Sequence, residues 1–415
     1  MIREKADILF LIMGGNPFPN LISATTRINK GGRIICICTE DTEGHPYNRF
    51  RRLVKEKMNN NITIEKLLIN KFNRRSIEEK IQEKLDNLLY MEDKINLLEL
   101  NYTGGIKLIS ITAYHVIKNY NYDKYNKNPN ISLTYIDPER ELLYFEFSKG
   151  TNKKYISDCV SLSQLDSNFD LNIKDIISVY SNIDNMEEIN EEGAMPKAKE
   201  LANKLGNLFC GVGKKQYDER VKFIKENTAT GSWTNDKKQF INNLSQAFLD
   251  YNIFSNNDEI NLLLGSNDEE IFGYFAGTKW LEEYILNILI ELKEEGIIED
   301  VQHSIKKIRS DEEQGVFEVD LVAYRKYKLF AISITSISTQ EEAKGKLYEI
   351  KQRAKNLAGD EAGICYINLC WDTDELKREY KNIWDDETLE NTLILGVQDF
   401  SNLKNELREW LKEGV

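Results

Sequence analysis

The chain has 415 residues, 41% hydrophobic and 30% charged, with a formal net charge of −13. This is a globular composition with room for two or three domains, and its acidity argues against a permanent nucleic-acid coat, though not against an enzyme with a local basic patch. No run is apolar for a membrane span and no signal peptide opens the chain; six scattered cysteines without a CxxC pair and three histidines argue against a zinc site and for a reduced, cytoplasmic setting.

Residues 7–13 read as a buried strand, followed by the loop Gly14-Gly15-Asn16-Pro17-Phe18-Pro19-Asn20 and a helix over 20–29 that starts near Leu21. Further strands are expected at 33–38, 62–69, 95–100, 131–136 and 142–147, and helices at 46–58, 75–90 and 105–118. This alternation predicts a mostly parallel, Rossmann-like sheet over residues 1–152. Cys36 and Cys38 share a strand face and are expected to pack as small hydrophobes. Asp137-Pro138-Glu139-Arg140 reads as a hairpin turn.

The strand at 95–100 runs into Asn101-Tyr102-Thr103-Gly104-Gly105-Ile106-Lys107, a polar, double-glycine turn before an amphipathic helix. Glycines at such a point let a ligand approach backbone N–H groups. Two loops of this kind, at the carboxyl ends of two strands of one α/β sheet, would face one crevice, where open sheets bind ligands. Each could also be an ordinary strand–helix turn. The first loop lacks the GxGxxG spacing, and Pro17 removes an N–H from any phosphate cradle, so a dinucleotide-dependent oxidoreductase is not expected. His115, beside Val116 and Ile117, is expected to pack rather than to act.

Residues 153–272 carry short candidate helices at 172–180, 195–209, 215–224, 236–249 and 257–264, a small helical or winged-helix connector. No strongly basic recognition helix stands out, so a spacer is the expectation.

Residues 273–415 open with an apolar-periodic helix over 280–292. Strands follow at 298–306, 316–324 and 329–336, then a helix at 341–357 and a strand at 363–369. In the strand from Val316 to Tyr324, Phe317, Val319, Leu321 and Ala323 share one face, and Glu318 and Asp320 the other. Asp320 is a carboxylate near the middle of a hairpin, and Glu282 and Glu283 lie in the first turn of the apolar helix. A helix Glu, a strand Asp and a neighbouring strand can hold a divalent metal against a phosphate. The same carboxylates could instead be solvated rim charges.

The loops Gly15-Asn16-Pro17-Phe18-Pro19-Asn20 and Asn101 to Lys107 resemble those of the CARF domain (CRISPR-associated Rossmann fold). Gly277-Thr278-Lys279-Trp280-Leu281-Glu282-Glu283-Tyr284 with Glu318-Val319-Asp320 resembles a PD-(D/E)xK restriction-endonuclease-like α/β domain. Together the two ends look like the type III CRISPR ancillary nucleases that join them. The resemblance implies a homodimer that binds a cyclic oligoadenylate, with cyclic tetra-adenylate the first expectation, and so activates a Mn²⁺- or Mg²⁺-dependent nuclease acting on DNA or RNA. It places Gly15, Asn16, Pro17, Asn20, Thr39, Asp41, Asn101, Tyr102, Thr103, Gly104, Gly105 and Lys107 against the ligand, and Glu282 and Asp320 on the metal. Gly104 and Gly105 would bring amides to phosphates, Thr103 a hydroxyl and Lys107 a positive charge.

The strand after Asp320 departs from the family's Glu-x-Lys ending. It reads Ile332-Ser333-Ile334-Thr335, with Ser333 at the carboxylate position and Thr335 at the lysine position. Either the domain is a catalytically degenerate part of a signal sensor, binding nucleic acid or a partner without cutting, or the missing groups have moved to the next helix. That helix carries Lys344, Lys346 and Glu349, and Lys346 and Glu349 share a face there. They could also be solvated surface charges, or a basic patch for a nucleic-acid backbone. A further possibility is that the first domain degrades its own ligand, as some CARF domains do.

Overall fold

The computed structural model describes residues 4–58, 61–137, 140–149, 154–180, 186–188, 198–207, 210–219, 246, 249, 279–308, 316–325, 327–335, 337–359, 362–383 and 391–413. The helices expected at 236–249 and 257–264, the Pro138-Glu139 turn and Gly277-Thr278 lie outside them, apart from residues 246 and 249. The chain divides into two compact units, Met1–Asp184 with Leu357–Gly359, and Asn185–Asn356 with Asp360–Val415. Among the described residues no helix is long and apolar enough to cross a membrane.

The first unit is built on strands β1 Ala6–Ile12, β2 Ile28–Cys38, β3 Thr63–Leu68, β4 Leu97–Asn101, β5 Asn130–Asp137, β6 Leu142–Ser148 and β7 Ile156–Ser161. They stand in the order β3-β2-β1-β4-β5-β6-β7. Pairing is parallel from β3 through to β5. The hairpin partner β6 and the edge strand β7 are antiparallel. Helices α1 Phe18–Thr26, α2 His45–Lys57, α3 Arg74–Met91, α4 Lys107–Asn119 and α5 Ile173–Tyr180 accompany the sheet. Strand order reverses between β1 and β4, so the loops leaving these two strands flank the topological switch point. One sheet face packs Ile8, Phe10, Ile12, Leu98 and Leu100 against Ile77 and Ile81 of α3 and Ile109 and Ala113 of α4.

Three local differences from the sequence reading have physical causes. β2 starts at Ile28 rather than residue 33; Gly31 takes φ +84° and the β1–β2 register shifts between Ala6 and Ile8, which hides the alternation. α1 begins at Phe18, because Pro17 is its N-cap and Pro19 fits the first turn, and it ends at Thr26. His115 is exposed rather than packed. The buried stripe of α4 is Ile109, Thr112, Ala113, Val116 and Ile117, and residue 115 falls outside it.

The second unit carries a sheet in the order β13-β12-β11-β10-β9-β8. Its strands are β8 Met186–Glu188, β9 Asp300–Ile308, β10 Val316–Arg325, β11 Lys328–Ile334, β12 Gly363–Ile367 and β13 Thr392–Leu395. β8 to β11 pair antiparallel and β11 to β13 parallel. Helices α6 Ala198–Asn207, α7 Lys279–Glu294, α8 Gln340–Ala358, α9 Asp374–Ile383 and α10 Leu403–Glu413 complete it. Trp280, Leu281, Ile285 and Leu289 of α7 share a core with Leu321, Ala323, Phe330 and Ile332 of the central hairpin and Leu407 of α10. α6 is tied to α7 through Asn287, whose amide donates to Asn203 Oδ1 at 3.0 Å.

Candidate functional site

In the first unit the loops after β1 and β4 interlock backbone to backbone. A Cβ on Gly104 would stand 2.2 Å from the Ile12 carbonyl oxygen, and one on Gly14 would stand 2.7 Å from the Gly105 amide nitrogen. Gly105 takes φ +77°, a conformation side chains rarely adopt. Asn20 is fully buried and donates to the Ile12 carbonyl at 3.0 Å, while its Oδ1 is buried without a hydrogen-bond partner among the described residues. The two loops foreseen to share a crevice therefore meet, at the carboxyl edge of β1 and β4.

The two helix starts differ in what they can give an anion. In α1 the Phe18 amide donates to Asn16 Oδ1 at 3.0 Å, and Pro17 and Pro19 have no N–H. Asn16 Oδ1 also accepts the Tyr180 hydroxyl at 2.7 Å. By contrast α4 begins at exposed Lys107 with Ile106 as N-cap and no side-chain cap. Its first-turn amides and positive dipole end are the better phosphate donors. Next along the edge, the Thr39 amide donates to Thr42 Oγ1 at 2.9 Å, and exposed Asp41 pairs with Lys71.

Beneath the second loop runs a buried polar chain. Arg27 and Glu99 form a bidentate pair, with Nη2 to Oε2 at 2.7 Å and both residues almost fully buried. Thr134 Oγ1 donates to Glu99 Oε1 at 3.1 Å, and Asn101 Nδ2 reaches Thr134 Oγ1 at 3.3 Å. Asn101 Oδ1 accepts the Thr103 amide at 3.2 Å, and Thr103 Oγ1 accepts the Ile136 amide at 2.7 Å. Thr103 is thus fixed in the loop as an acceptor. Tyr102 packs edge-on against Tyr114 with ring centroids 5.3 Å apart.

In the second unit, Asp320 stands on β10 beside Ser333 of β11. Asp320 Oδ2 accepts the Ser333 hydroxyl at 3.1 Å and the Ile334 amide at 2.6 Å. Burial, and then the charge of Glu282, push the Asp320 carboxyl up to about 6 despite those two bonds. Glu282 Oε2 accepts from His303 Nε2 at 3.2 Å, with both side chains mostly buried. At Thr335, the position a Glu-x-Lys ending would give to lysine, Oγ1 accepts the Ile337 amide at 3.2 Å.

The helix charges split into two groups. Lys344 pairs with Glu379 of α9 at 2.6 Å. Lys346 pairs with Glu349 at 2.7 Å, Glu349 also holds Arg353, and Arg353 Nη1 donates to the Glu318 carbonyl at 2.7 Å. Arg353 therefore ties this group to β10, two residues from Asp320. A carboxylate pair of which one member, Asp320, has its proton affinity raised by burial and by its neighbour suits a hard divalent ion whose shell is completed by water and phosphate oxygens. They do not make an all-protein cage, since among the described residues no three His, Cys, Asp or Glu side chains are grouped to hold a metal ion.

No protein-family model matches the chain, and no curated protein matches it in sequence. Among solved structures, protein VC1899 from Vibrio cholerae aligns over 98% of this chain and 98% of its own, with a TM-score of 0.70 at 16% identity. Can2 from Sulfobacillus thermosulfidooxidans, solved in complex with cyclic tetra-adenylate, aligns over 99% of this chain and 97% of its own, with a TM-score of 0.64 at 15% identity. The chain shares their fold from end to end. At these identities the likeness is one of architecture.

Asn20, Tyr180, His303 and Arg353 illustrate what can be read from a sequence and what cannot. Asn20, three residues past Pro17, belongs to the loop by sequence. The other three reach their partners by long-range pairing: Tyr180 lies 164 residues from Asn16, His303 lies 21 from Glu282, and Arg353 lies 35 from Glu318. Only the strand register, with His303 opposite Leu321, brings the imidazole to the helix carboxylate.

Proposed function

We propose that the chain is a cyclic-oligoadenylate-activated, metal-dependent nuclease of type III CRISPR antiviral defence, acting as a homodimer. The observation that carries this is the interlocked pair of glycine loops at the β1/β4 switch point, in a fold shared with Can2, whose structure holds cyclic tetra-adenylate. Gly15, Asn16, Pro17, Thr39, Asp41, Tyr102, Thr103, Gly104, Gly105 and Lys107 line the ligand, and the fully buried Asn20 and Asn101 hold the two loops from behind. The open first turn of α4 and Lys107 take its phosphates. A cyclic, repeating ligand suits two copies related by a two-fold axis.

In the second unit Glu282 and Asp320 would hold Mn²⁺ or Mg²⁺. When bound, the ion would activate water and neutralise charge developing on a DNA or RNA phosphodiester. Ser333 and the Ile334 amide fix the Asp320 carboxylate. Lys346 and Arg353, both held by Glu349, steady the nucleic-acid backbone near β10, and Lys344 contributes charge further along α8.

One observation favours a second reading. The Ser333 hydroxyl donates to Asp320 and Thr335 Oγ1 accepts a backbone amide, and neither neutral hydroxyl supplies the charge of the absent carboxylate or lysine. On that reading the second unit binds nucleic acid or a partner without cutting. The test is cleavage of plasmid, single-stranded DNA and RNA with Mn²⁺, with and without cyclic tetra- and hexa-adenylate, against Asp320→Ala. Ligand-dependent cutting lost in the variant supports the nuclease; tight ligand binding with no cutting supports the sensor.

A further inference from the structure

The second unit holds one group near the carboxylate pair that neither the sequence motif nor the fold assigns. His303 lies on β9, paired antiparallel with β10 and in register with Leu321, the residue after Asp320. Its Nε2 stands 3.2 Å from Glu282 Oε2. A carboxylate only accepts, so the imidazole donates, and it does so from the neutral Nε2–H tautomer or the imidazolium alike. Both side chains are less than one-fifth exposed, at 19% and 14%, so the bond has little competition from water.

Glu282 sits in the first turn of α7, between buried Leu281 and buried Tyr284. A glutamate there has three side-chain torsions to fix before it can share an ion with a strand aspartate. Asp320 has its own anchors in Ser333 and the Ile334 amide. His303 is a partner placed to serve Glu282 in the same role. Ligating carboxylates are commonly oriented by such hydrogen bonds from behind, and removing the outer partner weakens metal binding about 10–100-fold.

We propose that His303 is the positioning residue for Glu282, holding its carboxylate in the orientation that shares a divalent ion with Asp320. The proposal rests on the reading of Glu282 and Asp320 as metal carboxylates. It assigns His303 no contact with the ion and no proton transfer.

The experiment is Mn²⁺ binding by calorimetry to the full-length protein without nucleic acid, in the wild type and in His303→Leu, His303→Asn, His303→Gln, Glu282→Gln and Asp320→Asn. Melting temperature is measured alongside. The Gln amide reaches about as far as Nε2 and keeps the donor, whereas the Asn amide stops short. Affinity is expected to fall at least tenfold in His303→Leu and His303→Asn and to stay within about threefold of wild type in His303→Gln. A purely structural histidine would not give that split between two folded amide variants. Should His303→Asn and His303→Leu bind Mn²⁺ like wild type while Glu282→Gln and Asp320→Asn lose it, the carboxylate reading stands and the role of His303 is overturned. Should the wild type take up no Mn²⁺, or the carboxylate variants keep it, that reading falls and the proposal falls with it.

Discussion

The Tyr180 hydroxyl donates to Asn16 Oδ1 at 2.7 Å, joining the last residue of α5 to the loop after β1. The same tyrosine is held at its backbone, where Arg49 Nη1 donates to the carbonyl at 2.7 Å. Asn16 Oδ1 also accepts the Phe18 amide, so the loop after β1 takes its shape partly from α5.

Tyr180→Phe removes one neutral hydrogen bond, worth about 1 kcal/mol. Affinity for cyclic tetra-adenylate, measured by calorimetry, is expected to fall about fivefold, with the fold intact by circular dichroism. Unchanged affinity would mean that Asn16 does not meet the ligand in the conformation Tyr180 holds.

Glycine positions in the two loops separate into required and permissive. Gly104→Ala places a methyl 2.2 Å from a carbonyl oxygen of β1, whereas Gly15→Ala meets nothing within 4 Å. The first is expected to destabilise the first unit by about 1–3 kcal/mol and to abolish ligand binding by parting the loops. The second should fold normally, and any loss of binding in it would report the ligand's approach to residue 15. A Gly104→Ala protein that binds like wild type would remove the interlock from the site.

How much of this was visible in the sequence depends on range. The strands that end in the two glycine loops, the helix starting after Ile106 and the Asp320 hairpin were legible because their signals are local: apolar runs, glycine pairs, period-two alternation. β7 was not, since residues 156–159 are exposed and lack an apolar alternation. Nor was the buried Arg27–Glu99 pair, 72 residues apart, because burial of charge shows only once β4 lies in the sheet centre. The exposure of His115 follows from helix phase, which a single neighbouring pair of apolar residues does not fix.

Glu99→Gln leaves Arg27, 3% exposed, without its counter-charge. Breaking a buried pair from one side costs about 3–5 kcal/mol, whereas replacing both partners by apolar residues is often near neutral. Urea unfolding should therefore rank Glu99→Gln well below Arg27→Met/Glu99→Leu. The double variant should also weaken ligand binding, because Glu99→Leu removes the acceptor for Thr134 and cuts the chain to Asn101 and Thr103, whereas Glu99→Gln keeps it. All five tryptophans lie beyond residue 185, so circular dichroism, and not tryptophan fluorescence, should carry the shift. Equal loss in the single and double variants would argue that the pair acts through packing alone.

Asp320 gives the second unit a pH signature of definite sign. Its carboxyl is raised to about 6 from an ordinary value near 3.8, by burial first and by Glu282 second. Between those values the folded unit keeps a proton that the unfolded chain has lost, so stability falls as pH rises through that window and levels off above it. The full cost at neutral pH is about 3 kcal/mol on this basis, an upper figure. Asp320→Asn keeps an acceptor for Ser333 and Ile334 while removing the charge. It should therefore unfold at higher urea than wild type at pH 8, followed by tryptophan fluorescence, with the gap closing near pH 4. Added Mn²⁺ should narrow the gap at pH 8 from the wild-type side, because only the charged pair gains from the cation. A gap that is constant with pH would show that the aspartate is ionised at no cost, and would take away the electrostatic reason for reading it as half of a metal site.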